Sequence, residues 1–294
     1  MKTLREYVTD AVVKKIAIGH FNISNIEGFW ATVRAARELG SLAGRDIPVI
    51  IGVSEGERSF IGVSQVKALV ESYVRETGQS VFLNADHTYS FDKVREAVDA
   101  GYDAVIYDGT EQSFEDNVTI TKKCVEYAKK KNKNILVEGE LGFIGKSSKI
   151  LSSIPAGVKI SEEFLTKPEF AKKFVTETGV DLLAPAVGNI HGMLAGGKDP
   201  ALNIQRIREI SDAVKIPLVL HGGSGNSAED FRMAIDAGVV IIHVNTELRV
   251  AFRNALRRTL GDNLDEIAPY KIMRPSVSAM QEVVTEKLKI FNKI

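Results

Sequence analysis

The chain has one cysteine, Cys124, in 294 residues, so no disulfide can form within it. Cys124 falls in a helical pattern between Lys122 and Tyr127 and reads as a small core or surface thiol. A reactive cysteine would need a special microenvironment. No stretch approaches the ~18 uninterrupted apolar residues that a membrane-spanning helix needs. The first residues, Met1-Lys2-Thr3-Leu4-Arg5-Glu6, are charged and lack the apolar core of a signal peptide, so the cytoplasm is the expected location. Net charge is also missing, because 38 Lys and Arg balance 38 Asp and Glu. That balance points to neither a nucleic-acid nor a membrane-surface partner, and leaves a small anionic molecule open. No Pro/Gly/Ser-rich linker divides the chain. Histidine is scarce, with five residues.

Hydrophobic residues make up 44% of the chain and charged residues 26%, ordinary for a globular protein with a sizeable core. Short β-branched apolar runs recur at 16–21, 47–53, 80–85, 103–108, 134–140, 180–187, 216–220 and 239–245. Such continuous runs suit parallel strands buried on both faces. Between them, 26–39, 66–76, 91–100, 114–130, 168–178, 204–213 and 229–237 carry the 3.6-residue period of amphipathic helices. Gly101, Gly179 and Gly238 close helices before the next strand. Eight strands alternating with helices predict an α/β fold, a (β/α)8 TIM barrel, with an open doubly wound sheet as the structural rival. The barrel is expected over about 16–260 of a single 1–294 domain, with extra C-terminal helices over about 262–294. The stretch 142–160, rich in Gly, Ser and Lys, reads as a long lid or binding loop.

All five histidines, His20, His87, His191, His221 and His243, fall at or just past the carboxyl end of a predicted strand. In a barrel those ends converge on the face where active sites are built. Three imidazoles plus an open position is a usual catalytic zinc arrangement, and His87, His191 and His221 lie in loops able to reach the barrel mouth. Asp86, next to His87, reads as a ligand, as an orienter of the imidazole or as a general acid–base. Gly222-Gly223-Ser224-Gly225 and the helix opened by Asn245-Thr246 suit phosphate binding, although a plain flexible turn has the same composition.

In this order the motifs resemble those of the class II, metal-dependent ketose-bisphosphate aldolases. The similarity is carried by Phe21-Asn22-Ile23-Ser24-Asn25, Val53-Ser54-Glu55-Gly56, Asp86-His87, Tyr107-Asp108-Gly109-Thr110 and Val137-Glu138-Gly139-Glu140-Leu141-Gly142. Ala186-Val187-Gly188-Asn189-Ile190-His191-Gly192, Leu220-His221-Gly222-Gly223-Ser224-Gly225 and Asn245-Thr246-Glu247-Leu248-Arg249 complete it. The resemblance implies reversible aldol cleavage of a ketose 1,6-bisphosphate, fructose 1,6-bisphosphate first, with tagatose 1,6-bisphosphate or another ketose phosphate as alternatives. It implies Zn2+ held by His87, His191 and His221, with Glu140 as an alternative or outer contact and Asp108 and Glu138 in support. Asp86 would be the acid–base residue at the C4 hydroxyl. Gly192, Gly222, Ser224 and Thr246 would hold the phosphate, and Asn22, Ser54, Gly223, His243 and Asn245 would complete the substrate contacts. A monovalent cation near the phosphate and a homodimer or homotetramer are also implied.

Four positions depart from the family pattern. His243 stands where the family has Asn, and Asn84 where it has His two residues before Asp86. Ala195 replaces a phosphate-contacting Lys, for which Lys198 is the candidate substitute. The loop Gly145-Lys146-Ser147-Ser148 lacks the usual acidic residue, the next being Glu162. These changes touch the substrate pocket, not the metal ligands. They motivate a different ketose phosphate or, from another class, a catalytically idle binding protein.

Overall fold

A computed structural model describes residues 2–146, 149–154, 157–158, 161–195 and 199–294. Lys198, Ser147 and Ser148 lie outside the described residues. Each of the eight apolar runs forms a strand: β1 (Ile18–Asn22), β2 (Val49–Val53), β3 (Val81–Thr88), β4 (Ala104–Tyr107), β5 (Leu136–Leu141), β6 (Leu182–Pro185), β7 (Leu218–Leu220) and β8 (Val239–Val244). They close in the order β1-β8-β7-β6-β5-β4-β3-β2, parallel throughout. Both faces of these strands are buried, which is why the sequence shows runs and no alternation. The closed barrel excludes the open-sheet rival.

The helices are α1 (Leu4–Lys14), α2 (Ile26–Ala43), α3 (Glu55–Ile61), α4 (Val63–Thr77), α5 (Phe91–Asp99), α6 (Phe114–Lys131), α7 (Pro168–Thr178), α8 (Ile204–Val214), α9 (Ala228–Asp236), α10 (Thr246–Asp262) and α11 (Pro269–Asn292). The strand and helix periods alone did not single out α1 or α3. Yet α1 opens on a Thr3/Glu6 capping box and buries Leu4, Val8 and Ala11 on one stripe. That stripe joins Ile18, Ile50, Phe82, Leu136, Leu182 and Val240 in the barrel interior and so plugs the amino-terminal end.

As expected, a further helix follows the eighth unit. α11 buries Met280, Val284, Leu288 and Phe291 against the main core and packs on α2, α9, α10 and β1. Ala17, leading into β1, donates its N–H to the Phe291 carbonyl at 3.0 Å. The expected post-barrel helix thus belongs to the barrel wall, covering the outer face of β1. The loop after β5 also carries structure: Ile150–Leu151 pairs in parallel with Met193–Leu194, and Glu162–Phe164 makes one 3-10 turn. No helix of the described residues is long and apolar enough to cross a membrane.

Candidate active site

The carboxyl ends of the strands enclose a cavity of about 670 Å³. Its lining includes Asn22, Ser54, Asp86, His87, His191, Gly192, Gly222, Ser224, His243, Asn245 and Thr246. Of the expected site residues, Glu140 and His221 stand behind this surface, buried against it. Gly223 is placed differently. Its N–H donates to the His243 carbonyl at 3.0 Å, so it ties β7 to β8 and offers no donor to a ligand.

Asp86 and His87 sit where the β3–β4 ladder slips by one residue between Ala85 and Thr88. His87 there adopts φ +36°, a region that non-glycine residues seldom enter. The slip aims both side chains at the barrel mouth, the re-aiming that bulges beside sites produce. One ligand atom from each of His87, His191 and His221 lies within 4.8 Å of the others. The second ring nitrogen of each is held in place. His87 Nδ1 lies 3.0 Å from both Asp108 Oδ2 and Glu140 Oε1, His191 Nδ1 lies 2.5 Å from the Gly145 carbonyl, and His221 Nε2 lies 2.7 Å from Glu138 Oε1. That leaves His221 Nδ1 buried with no hydrogen-bond partner. Imidazoles fixed from behind by carboxylates and carbonyls are how proteins orient metal ligands.

Electrostatics agree with a cation site. Asp86, Asp108, Glu138 and Glu140 are all buried around the three rings. Burial opposes charge on His87, but Glu140, Asp86 and Asp108 outweigh it and hold its pKa well above the usual histidine range. In His221, burial is likewise overcome by Glu140 and Glu138. His191 has a carbonyl partner instead, and burial together with His87 and His221 pushes it down to about 3. Burial pushes Glu138 and Glu140 up. A divalent cation would take the place of protons among these carboxylates, so the residues present fit a metal.

Burial alone would raise the Asp86 pKa, but His87 and His243 hold it well below the carboxylate range. It is therefore ionised at neutral pH. Its Oδ2 accepts from Asn22 Nδ2 at 2.8 Å, whereas Oδ1 makes no hydrogen bond, the nearest imidazole nitrogen being His243 Nδ1 at 3.4 Å. On the opposite wall, Gly222 (φ +62°) has its Cα so close to the Ile190 carbonyl that a Cβ would collide with it. Ser224 Oγ accepts from the Glu247 N–H at 3.3 Å, and Gly225 N donates to Glu247 Oε1 at 3.0 Å. These bonds hold the glycine loop against the start of α10, whose first residue, Thr246, lines the cavity. A helix N-terminus beside a glycine loop is an anion site.

Comparison with known proteins decides which chemistry this barrel belongs to. The profile of the family described as "Fructose-bisphosphate aldolase class-II" matches residues 2–294. A fructose-bisphosphate aldolase of Staphylococcus epidermidis is 35% identical over 292 residues, covering 98% of this chain and 96% of that protein. One from Geobacillus stearothermophilus is 36% identical over 294 residues, again 98% and 96%. Among solved structures, the YdjI aldolase of Escherichia coli K12 matches with TM-score 0.79 and 30% identity over 98% of this chain and 96% of that one. A putative fructose-1,6-biphosphate aldolase from Coccidioides immitis gives 0.81 and 26% over 98% and 95%. The chain belongs to the class II fructose-bisphosphate aldolase family. It is an aldolase.

Within this class II aldolase, His20 departs from its expected place. It lies mid-strand in β1, in register with His243, and their rings stack at 3.5 Å with 6° between planes. His243 stacks in turn on His221 at 4.0 Å. His20, Asp86 and His243 bring ligand-type atoms together, but the lone pairs of two stacked rings lie in parallel planes and do not converge on one ion. Glu162 pairs with Arg206 at 3.6 Å and is not among the cavity residues. Ala195 sits in the turn after Met193–Leu194. Glu55, Tyr89, Phe143, Lys146, Lys149 and Arg249 line the cavity and were not selected from the sequence as site residues. The Ser-x-x-Glu capping box at Ser54 was the available signal that a helix begins at this rim.

Proposed function

We propose that the protein is a zinc-dependent aldolase that reversibly cleaves a ketose 1,6-bisphosphate, fructose 1,6-bisphosphate first, to dihydroxyacetone phosphate and an aldehyde. The observation that carries this reading is the three-imidazole cluster, each ring fixed from behind, beside an ionised carboxylate whose Oδ1 makes no hydrogen bond. His87, His191 and His221 would hold the ion, with Glu140 as an alternative contact behind His87. Zinc, when bound, supplies Lewis acidity that stabilises the negative charge developing at the ketose carbonyl. Asp86 Oδ1 takes the C4 hydroxyl proton as the C3–C4 bond breaks, and returns it on condensation. Gly192, Gly222, Ser224 and the start of α10 hold the phosphate of the dihydroxyacetone half, which supplies binding energy remote from the breaking bond. Asn22 serves by holding Asp86, since Nδ2 donates to Asp86 and to Glu57.

A second reading keeps the reaction and changes the sugar. Ala195 brings no cation to the pocket, and His243 places a ring, itself stacked between two others, where an amide would be smaller. Tagatose 1,6-bisphosphate or a singly phosphorylated ketose is then the substrate. Steady-state rates on fructose 1,6-bisphosphate, tagatose 1,6-bisphosphate and ketose 1-phosphates separate the two. The first reading requires kcat/KM for fructose 1,6-bisphosphate to be the highest of the panel. Preference for tagatose 1,6-bisphosphate or a ketose 1-phosphate would transfer the assignment to the second, and absence of cleavage with every sugar would end both.

A further inference from the structure

The cavity rim formed by α3 holds two buried residues to which the aldol chemistry assigns no task. Glu57 and Arg58 are consecutive, 6% and 3% exposed, and both reach the Asp86-His87 corner. Glu57 closes the capping box of α3, with Oε2 accepting from the Ser54 N–H at 2.8 Å. The same oxygen accepts from Asn22 Nδ2 at 2.9 Å, and that nitrogen also donates to Asp86 Oδ2 at 2.8 Å. Oε1 of Glu57 accepts from Arg249 Nη2 at 2.6 Å and from Ser24 Oγ at 3.2 Å. One amide thus bridges two carboxylates, and the far one is anchored by three further donors.

Arg58 works on the backbone of the same corner. Its Nη1 donates to the Val53 carbonyl at 2.5 Å and the Asp86 carbonyl at 3.1 Å, and Nη2 donates to Thr88 Oγ1 at 2.9 Å. Among the described residues no carboxylate forms an ion pair with it. A buried guanidinium whose hydrogen bonds all go to neutral oxygens, with the Asp86, Glu55 and Glu96 carboxylates acting on it only from beyond ion-pair distance, is an expensive arrangement that packing does not require. Two of its acceptors, Asp86 and Thr88, flank His87 at the ladder slip, and the third, Val53, ends the neighbouring strand β2. A planar fork with fixed donor directions can hold that geometry, whereas a point charge cannot.

We propose that Glu57 and Arg58 are positioning residues for the reaction: Glu57 fixes the Asp86 carboxylate through Asn22, and Arg58 fixes the backbone that presents Asp86 and His87. This rests on the reading of Asp86 as acid–base and His87 as ligand. Glu57→Gln keeps the size of the side chain but weakens the charged acceptor that orients Asn22, so the Asn22 contact to Asp86 is held less firmly. Arg58→Lys keeps the charge and loses the fork, and Arg58→Met loses both.

The test measures four quantities on the full-length, zinc-loaded wild type and these variants. They are melting temperature, zinc affinity by competition with a chromophoric chelator, kcat and KM for cleavage, and exchange of solvent deuterium into dihydroxyacetone phosphate. Exchange reports proton transfer at the dihydroxyacetone carbon and does not use the C4 hydroxyl. Glu57→Gln is expected to lower kcat for cleavage roughly tenfold or more, with KM and deuterium exchange within about twofold of wild type. Arg58→Met is expected to weaken zinc binding about 10–100-fold, the range seen when ligand-orienting groups are lost. Arg58→Lys is expected to fall between it and wild type. Folded variants with unchanged zinc affinity and an unchanged cleavage-to-exchange ratio would overturn the proposal. If Arg58→Met does not fold, Arg58→Lys and Glu57→Gln decide it on the same measures. If the wild type cleaves no sugar, the aldolase assignment has failed on its own account, and the zinc affinities of the Arg58 variants still decide the positioning of His87.

Discussion

His20 and His243 form a column of rings that ends on His221 of the three-imidazole cluster, and the cost of charging the buried rings whose pKa values are pushed down decides how the protein behaves in acid. Burial pushes His20 down to about 4, and burial with the charges of His20 and His221 pushes His243 well below the histidine range. His191 lies at about 3 for the same leading reason. All three return to a pKa near 6.5 on unfolding. Between pH 6.5 and about 4 the unfolded chain therefore binds protons that the native chain refuses, and stability falls as pH falls. Each such group contributes up to ~1.4 kcal/mol per pH unit across that window. His87 and His221 act oppositely. Their raised pKa values add stability below about pH 6.5 that is lost as pH rises through them, in the metal-free protein. Glu138 and Glu140, pushed up by burial, take up native-state protons as pH falls and offset part of the acid loss. Melts of metal-free protein from pH 6.5 to 4.5 should show a falling Tm, with a shallower fall in His20→Asn. A Tm independent of pH over that range would show the column to be protonated at little cost.

At this scale the sequence singled out Asp86 and the three histidines that cluster at the barrel mouth, because strand ends and adjacent motifs mark them. Glu57 and Arg58 stayed hidden because their partners Asn22 and Asp86 come from other strands and only folding joins them. Gly223 was over-read for a related reason. Composition shows a glycine with a free N–H, and only the β7–β8 contact shows that the His243 carbonyl takes it.

Helices and strands differ in what their patterns disclose. Parallel strands buried on both faces leave runs that locate all eight, and their alternation with helices implies closure. A helical period shows which face is buried, but not what it is buried against. That is why the extra helix over 262–294 was legible, whereas its place over β1 was not. Leu288 and Phe291 are fully buried, and the Phe291 ring packs edge-on against Phe231 of α9 at 5.2 Å. Phe291→Ala leaves a cavity between α11 and α9, and large-to-small changes of this kind typically cost about 3–5 kcal/mol. Urea unfolding should register a loss of that order. A loss below about 1 kcal/mol would mean that α11 contributes little to the barrel wall.

On the scale of the whole molecule, one end of the barrel is built for stability and the other for chemistry. α1 seals the amino-terminal end with Leu4, Val8 and Ala11, while the carboxyl ends carry buried carboxylates, imidazoles and a glycine loop. Concentrating unpaired polar atoms at one rim is tolerable only where a ligand completes them. A divalent ion at His87, His191 and His221 would do so. The most direct test is to measure bound metal and ketose-bisphosphate cleavage in the same sample, before chelation, after exhaustive chelation, and after adding Zn2+ back. About one ion per chain, with cleavage lost on chelation, restored by zinc and absent in His221→Ala, is the predicted result. Cleavage that persists in metal-free protein, or in His221→Ala, would contradict it.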